Sequence, residues 1–411
     1  MSLLRKTAQT GIAGVSWCLR GLDALVPFYR RAEPRAMFVV RRAAEAALAS
    51  AAGETGALDA WLALSERLRG GAATILTYHR ILPRDEAAAE PDPGIVTTAE
   101  TFEAEMRFIA RHCSPLPLQE AAERLDRGSR LPRRAVVVTF DDGWRDNYVH
   151  AYPVLRRLAI PATVFAATGY VGTSRPLWTR EAARGLAEAA RRGRWGGVEE
   201  AFFAQGMPCA PDPGGNRVLL KAAISGLKRL PAERRERIVS DLVLALGLDA
   251  VPDAWVTWDE LREMADAGIE VGSHTRTHAI LTAESAERVR DEVEGSRRDI
   301  ERHLGRSPVA FCYPDGACVP AIEAAVQRAG YALACSTRRG VAGFGADRYL
   351  LPRIGAEEAM AAGPSGAFCQ ALFSWRLAGG LERLCGATCR PRARARAPAR
   401  ADAQCASSGE S

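Results

Sequence analysis

Short apolar runs rich in β-branched residues alternate with longer amphipathic segments from Gly71 onward. The apolar runs predict buried strands, and apolar residues at three- and four-residue spacing predict helices. Regular alternation of the two is typical of a parallel sheet or barrel. The predicted strands are Ile75–Tyr78, Ala135–Phe140, Ala162–Ala167, Ile269–Gly272, Val309–Tyr313, Tyr331–Cys335 and Tyr349–Ile354. The predicted helices are Ala99–His112, Asp146–Leu158, Trp258–Ala267, Ala283–Leu304 and Val319–Ala329.

The alternation divides the chain into a barrel and three additions. Seven strands favour an α/β barrel built from residues 71–180 and 256–357. The Arg-rich, Pro- and Gly-broken residues 181–255 predict an inserted helical cap, which is more often structural elaboration than a separate activity but also shapes access to a barrel mouth. Residues 1–70 predict a basic helical extension, and residues 358–411 predict a helix followed by a disordered basic tail.

Composition limits the kinds of molecule that the protein is expected to bind. The 411 residues are 47% apolar and 25% charged, as in an ordinary soluble globular protein. Arginine supplies the net charge of +6, and the chain lacks zinc-finger spacing, a recognition-helix signature or an aromatic platform, so we expect no nucleic-acid partner. The ten cysteines are scattered without a Cys-x-x-Cys pair, which favours reduced thiols.

The basic N-terminus is the segment that indicates where in the cell the protein acts. Residues 1–20 make a poor signal peptide, because polar residues interrupt the apolar stretch and no small-residue cleavage site follows it. Arginines up to Arg42 are interleaved with apolar residues, so this segment either lies on an anionic membrane surface or packs on the body of the protein. We expect a cytoplasmic protein at the inner face of the membrane, with export as the alternative.

Two adjacent acids and two histidines carry the candidate chemistry. Asp141 and Asp142 end the apolar strand Ala135–Phe140, where two neighbouring carboxylates can serve one site in different roles. His274 and His278 lie four residues apart just after another predicted strand. Two histidines and one carboxylate form a recurring divalent-metal set, and one of the two aspartates is the obvious third ligand.

These segments resemble the polysaccharide deacetylases, also known as carbohydrate esterase family four or the nodulation-protein-B (NodB) homology domain. The ordered match spans about Gly71 to Ala356, excluding most of the cap, and implies a distorted (β/α)7-type barrel. Its first two motifs are Thr139-Phe140-Asp141-Asp142-Gly143 and His274-Thr275-Arg276-Thr277-His278. Further similar segments are Leu76–Arg80, Pro161–Phe165, Thr257–Leu261 and Phe311–Gly316.

The resemblance implies a role for each site residue. Asp142, His274 and His278 would hold a divalent metal, usually zinc, and Asp141 would be the general base. The backbone N–H of Asp315 would stabilise the oxyanion. The late family motif contains no histidine in this chain, so His79 is the better candidate for the general acid, as in the exopolysaccharide-deacetylase subgroup.

Two departures from the family pattern concern the base. Cys312 stands where the third motif commonly has an arginine, and Asp315 replaces the usual aromatic residue. We hypothesise that Arg353, at the end of the last predicted strand, supplies the missing charge. Asp146, soon after the acids, is either a supporting residue of the site or a helix-start residue, and the second interpretation is favoured.

The resulting expectation is a metal-dependent hydrolase of carbon–nitrogen bonds. It would remove N-acetyl groups from sugars in an exopolysaccharide or in a lipid-linked oligosaccharide precursor, and it would associate peripherally with a membrane. The alternatives are hydrolysis of a non-sugar amide or of an O-acetyl ester, or a catalytically silent glycan-binding or membrane-assembly protein.

Overall fold

A computed structural model describes residues 71–193, 223–249, 251–363 and 367–377. The predictions for the N-terminal extension and the basic tail lie outside these residues, as does the middle of the predicted cap. Within the described ranges, no helix is both long and apolar enough to cross a membrane.

Seven parallel strands form a closed barrel. Strand β1 pairs with both β5 and β10, which closes the order β1-β10-β9-β8-β7-β6-β5 into a ring. The predicted (β/α)7 barrel is confirmed. The barrel strands are β1 (Ala73–Tyr78), β5 (Ala135–Phe140), β6 (Ala162–Ala166), β7 (Glu270–Ser273), β8 (Ala310–Cys312), β9 (Leu333–Arg339) and β10 (Leu351–Gly355), all of which match predicted runs.

Three further short strands were not predicted. Strands β2 (Arg80–Leu82) and β3 (Val96–Thr98) form a separate two-stranded parallel sheet directly after β1. Strand β4 (Ser114–Pro115) pairs with the first two residues of β5. Strand β6 pairs with the second half of β5. Strands of two or three residues are too short to show a period in the sequence.

Continuous burial explains why strands β1 and β5 are largely apolar. Every residue of β1 and of β5 is buried. A parallel strand covered on both faces needs an apolar run rather than an alternating pattern. Helices α5 (Trp178–Arg192) and α6 (Ala232–Ala245) belong to the cap. The other helices are α1 (Arg84–Ala89), α2 (Ala99–His112), α3 (Leu118–Asp126), α4 (Tyr152–Leu158), α7 (Trp258–Asp266), α8 (Ala286–Leu304), α9 (Pro320–Arg328), α10 (Glu358–Ala361) and α11 (Gln370–Leu377).

Local sequence sets the ends of several helices. Thr257 caps α7 in a capping box with Glu260, and α2 has the predicted bounds Ala99–His112. The predicted helix Asp146–Leu158 is instead a π-helical turn at Asn147–Ala151 followed by α4. Pro153 lacks the N–H needed to continue a regular ladder, which accounts for this break.

The described part of the cap contains helices α5 and α6, and its two ends meet where they join the barrel. Helices α5 and α6 pack together, and their apolar faces form one cluster with Trp144 and Trp255. At the base, the N–H of Gly172 donates to the carbonyl of Val256 at 2.9 Å. The N–H of Val256 in turn donates to the carbonyl of Gly143 at 3.1 Å, so the chain leaves and re-enters the barrel beside Asp142.

Candidate metal centre and active site

The carboxyl ends of parallel barrel strands open on the same mouth, where side chains from different strands meet. All of the predicted site residues lie on or just after strands that end there. They are His79 after β1, Asp141 and Asp142 after β5, His274 and His278 after β7, Asp315 after β8, and Arg353 in β10.

The backbone is strained around this mouth. Among the described residues, six other than glycine have a positive φ, and four of them belong to the motifs above. Such conformations are costly for residues with a Cβ and persist where the surrounding structure imposes them, commonly at functional sites. The four are Asp142 (φ 73°), Thr275 (φ 64°), His278 (φ 53°) and Asp315 (φ 58°).

Asp142, His274 and His278 bring three ligand atoms together. The Oδ1 atom of Asp142 lies 3.4 Å from Nε2 of His274 and 3.4 Å from Nε2 of His278. A metal held about 2.1 Å from each donor at tetrahedral angles sets the donors about 3.4 Å apart. All three side chains are buried. The donor set therefore fits a divalent ion with positions left for water and substrate.

Hydrogen bonds orient two of the three ligands. The Nδ1 atom of His274 lies 2.8 Å from the carbonyl oxygen of Cys312, which only accepts, so Nδ1 carries the proton and Nε2 is free for the metal. The indole Nε1 of Trp144 donates to Oδ2 of Asp142 at 2.9 Å. Sequence reasoning missed Trp144, although its place two residues after Asp142 was visible.

The environment sets the protonation of the ligands. Burial opposes ionisation of Asp142, but its hydrogen bond with His274 and the charges of the nearby histidines hold its pKa far below the usual range. For His278, burial outweighs the attraction of Asp142 and lowers the pKa to about 3. An ionised carboxylate and a neutral imidazole are the forms that bind a metal, and Asp142 and His278 are already in them. Although burial acts in the opposite direction, Cys312, Asp142 and Asp141 raise the pKa of His274, which would therefore release a proton when an ion binds.

Arg353 holds the carboxylate of Asp141 at both oxygens. Nη1 donates to Oδ1 and Nη2 donates to Oδ2, each at 2.7 Å, and both residues are buried. Burial alone would raise the pKa of Asp141, but the charge and hydrogen bonds of Arg353 lower it overall. The structure thus makes the contact hypothesised for Arg353 from the sequence.

Cys312 completes the surroundings of Asp141. Its thiol approaches the two carboxylate oxygens of Asp141 at 3.7 and 3.6 Å, and its sulfur accepts from Nη2 of Arg353 at 3.0 Å. Burial raises the pKa of Cys312, so the neutral thiol is the form that donates to Asp141. Asp141, His274 and Cys312 also lie close enough to share an ion, but both oxygens of Asp141 are already engaged by Arg353.

His79 lies beside the carboxylate of Asp141. Its Nε2 is 3.9 Å from Oδ2 of Asp141, and its side chain is 30% exposed, far more than that of the aspartate. The Nδ2 of Asn147 donates to the carbonyl of His79 at 2.7 Å and fixes the backbone there. His79 thus combines a place at the site with access to solvent, and its role as general acid stays a prediction.

Asp146 lies at the start of the helical segment that follows it, as the favoured interpretation expects, but its side chain does not cap that segment. Its Oδ1 accepts from the N–H of Ile81 at 2.8 Å, and its Oδ2 accepts from Nε of Arg80 at 3.0 Å. These bonds fix the segment after His79 and leave no carboxylate oxygen directed at the helix N-terminus. Burial raises the pKa of Asp146 to about 6, against the effect of Arg80.

Asp315 lies in a tight turn that contacts the cap. Its carbonyl accepts from Oγ1 of Thr337 at 3.0 Å, and its carboxylate forms an ion pair with Lys228 of the cap. A Cβ at Gly316 would lie 2.4 Å from the backbone nitrogen of Thr337, so only glycine fits there. The predicted use of the Asp315 N–H as an oxyanion donor remains a prediction.

One protein-family model matches the part of the chain that contains this site. The model described as polysaccharide deacetylase matches residues 128–193 and 236–334, which contain both aspartates and both histidines of the motifs. The matched part of the chain is a polysaccharide deacetylase domain. The predicted family and the predicted class of enzyme, a deacetylase of the hydrolase type, are confirmed. His79 and Arg353 lie outside the matched segments of the deacetylase domain.

Two curated relatives show how far the similarity extends. A Bacillus subtilis protein named as a polysaccharide deacetylase is 20% identical over 299 residues, covering 72% of this chain and 76% of that protein. The poly-beta-1,6-N-acetyl-D-glucosamine N-deacetylase of Staphylococcus epidermidis is 28% identical over 111 residues, covering 25% of this chain and 38% of that enzyme. The chain thus aligns with little more than a third of the staphylococcal enzyme.

Two solved structures of deacetylases align with the described barrel. A Streptococcus pyogenes deacetylase in complex with acetate has a TM-score of 0.47 at 18% identity, covering 72% of this chain and 96% of that one. IcaB from Ammonifex degensii has a TM-score of 0.46 at 20% identity, covering 70% and 93%. The barrel itself is established by the closed strand pairing of this chain rather than by these likenesses.

Proposed function

We propose that the protein hydrolyses the N-acetyl amide of amino sugars in a polysaccharide or in a lipid-linked glycan precursor, with zinc as its metal. One observation carries the proposal: Asp142, His274 and His278 converge beside Asp141, which is held at both oxygens by Arg353. The staphylococcal relative is named for poly-beta-1,6-N-acetyl-D-glucosamine, so β-1,6-linked N-acetylglucosamine is the first substrate to test.

An amide is a poor electrophile with a poor leaving group, so both the attack of water and the departure of the amine require catalysis. A bound divalent ion supplies a more acidic water molecule and polarises the acetyl carbonyl. Asp142, His274 and His278 would hold this ion in the protonation states described above. His274 is fixed through Cys312 and Asp142 through Trp144, so the ligand set is preorganised.

Asp141 is suited to accept the proton of the attacking water. Arg353 keeps it ionised at neutral pH and prevents it from turning toward the histidines. His79, close to Asp141 and partly exposed, would donate a proton to the leaving amine. The backbone N–H of Asp315 would donate to the developing oxyanion.

Acetate release from N-acetylated β-1,6-linked glucosamine oligomers tests this proposal. We expect the metal-loaded protein to release acetate, to stop after chelation and to recover with zinc. Asp141→Asn should lower kcat by about 10²–10⁴-fold with the metal retained, because it removes only the base. Asp142→Asn should lose the metal as well. Asp85→Asn, an exposed change on α1, is the matched control.

The alternatives give different results in the same assay. Release of acetate only from O-acetylated glycans would mean that the protein is an esterase and not an amidase. No release from either type of substrate by metal-loaded protein would refute the proposed activity and favour a silent glycan-binding protein. Zinc is tested separately by metal analysis of the purified protein. Peripheral membrane association and the cytoplasmic location stay predictions, because the N-terminal segment lies outside the described residues.

A further inference from the structure

The described part of the cap encloses a charged side chain for which it offers no hydrogen-bond acceptor. Arg235 on α6 is 0% exposed. Its Nε, Nη1 and Nη2 atoms have no hydrogen-bond partner in the described part of the chain. The guanidinium stacks on the ring of Trp178, with Cζ 4.3 Å from the ring centroid. A guanidinium carries five N–H donors and a permanent charge, so this one lacks acceptors.

The carboxylates whose charges act on Arg235 accept no hydrogen bond from it. Glu284 accepts from the N–H of Ala232 at 2.8 Å, and Glu292 accepts from the N–H groups of Arg276 and Thr277 at 2.8 and 2.9 Å. Burial is the main cause that lowers the pKa of Arg235, ahead of the opposing effect of these acids. A buried unpaired donor is costly, so its presence calls for an explanation, such as a ligand.

Packing connects Arg235 to the metal centre. Trp178, on which it stacks, belongs to the same apolar cluster as Trp144, whose indole donates to Asp142. The Nε1 of Trp178 is also buried without a partner in the structure as described. Trp144 stacks on Trp255 of the same cluster, with ring centroids 4.2 Å apart. Packed aromatic rings thus connect Arg235 to the metal centre.

We propose that Arg235 and Trp178 form an anion subsite, which binds a carboxylate or phosphate group carried by the glycan near the sugar that is deacetylated. The flat fork of a guanidinium matches two oxygens of either group, and the indole N–H adds a donor. The assignment of the anion to the substrate rests on the proposed function. A uronic acid and a phosphorylated precursor present the same chemistry, and the test separates them.

Entry to the subsite requires the cap to move, since Arg235 is enclosed. At the edge of the cap, Lys228 pairs with Asp315, and both side chains are about one-third exposed (31% and 38%). Exposed ion pairs of this kind contribute little to stability, so this contact is weak enough to open. We expect a carboxylate or phosphate to occupy the subsite after such an opening.

Thermal unfolding of the metal-loaded full-length protein tests binding without relying on activity. Glucuronate and inorganic phosphate are the probes, and glucose and sodium chloride at matched ionic strength are the controls. We expect one or both anions to raise the Tm of the wild type by several degrees. Arg235→Met should lose most of this shift, whereas Arg237→Gln, exposed on the same helix, should keep it.

Stability without the anion separates a binding role from a structural one. Methionine keeps an apolar stem against Trp178 and removes the unpaired charge, so Arg235→Met should have a Tm equal to or above that of the wild type. A large drop in Tm, or an anion shift equal to that of the wild type, would overturn the subsite. Should Arg235→Met fail to fold, Arg235→Lys keeps the charge without the fork, and it should lose at least half of the anion shift.

Kinetics then connect the subsite to the substrate. For an acetylated oligosaccharide bearing a carboxylate or phosphate, Arg235→Met should raise KM about 10- to 100-fold. For the neutral oligosaccharide, KM should not change. An equal change for both substrates would contradict the assignment. Anion binding without acetate release supports the subsite and refutes the deacetylase, and acetate release without anion binding does the reverse.

Discussion

Two buried arginines, one in the barrel and one in the cap, have opposite surroundings. Arg353 in β10 binds both oxygens of Asp141 and also donates to the carbonyl of Ser336 at 3.0 Å. Arg235 in the cap stacks on Trp178 and, within the described ranges, has no hydrogen-bond acceptor. The barrel therefore completes the positioning of the base on its own, whereas the described part of the cap retains donors for which it offers no acceptor.

This contrast predicts opposite effects of the same substitution. Arg353→Met leaves the buried carboxylate of Asp141 unpaired and should lower the free energy of unfolding by about 3–5 kcal/mol, measured by urea denaturation. Activity should fall with it, because the base is no longer held. Adding Asp141→Asn to this variant should restore part of the stability. If Arg353→Met were as stable as Arg235→Met, the contrast between the two arginines would be wrong.

Trp144 links the two regions, and its loss should weaken metal binding. Trp144→Phe keeps the ring in the cap cluster but removes the donor to Asp142, so affinity for the metal should fall about 10- to 100-fold in a chelator competition. Trp258→Phe is the matched control, since Trp258 stacks on His303 on the outer helices. Equal metal affinity in both variants would show that the indole bond does not orient Asp142.

Because of its raised pKa, Asp146 should make the free energy of unfolding depend on pH. The pKa of Asp146 is raised to about 6 in the folded protein, above the value of about 3.9 for a free aspartate. The folded state therefore binds the proton more tightly, and the contribution of Asp146 to stability falls as pH rises from about 4 to 6. Between about pH 4 and 6, the free energy of unfolding of the wild type should fall by on the order of 1–3 kcal/mol relative to that of Asp146→Asn. Parallel stability curves for the two proteins would contradict the raised pKa.

The smallest effect is expected where cap and barrel meet at the surface. Lys228→Ala removes a partly exposed ion pair with Asp315, so it should change the free energy of unfolding by less than about 1 kcal/mol. Arg262→Ala, which removes the exposed pair with Asp259, is the control. A loss of several kcal/mol for Lys228→Ala alone would mean that the cap is fastened to the barrel through this contact.

The barrel was predictable because its signals are local. Apolar runs such as Ala135–Phe140 are continuous, and they correspond to strands whose every residue is buried. The apolar period of α2 was enough to predict Ala99–His112 with the correct bounds. The two-stranded sheet of β2 and β3 could not be predicted in this way, since each strand has only three residues.

The candidate site was predictable only in part. The motifs identified Asp141, Asp142 and the histidines, because neighbouring ligands are close in sequence. The approach of Arg353 to Asp141 spans 212 positions, so the sequence supported it only as a hypothesis. No local pattern marks Arg235, because its lack of acceptors is a property of the packed cap and not of the residues beside it in the chain.

The joining of the cap's two ends at Gly172 and Val256 has an evolutionary consequence. A segment that leaves and returns at one point can be lengthened, trimmed or replaced at small cost in loop-closure entropy, while the strands beneath it keep their pairing. Substrate preference and hydrolytic chemistry can then diverge separately. If the cap selects the substrate through the proposed anion subsite, a chimaera that carries another cap on this barrel would inherit the reaction from one parent and the choice of glycan from the other.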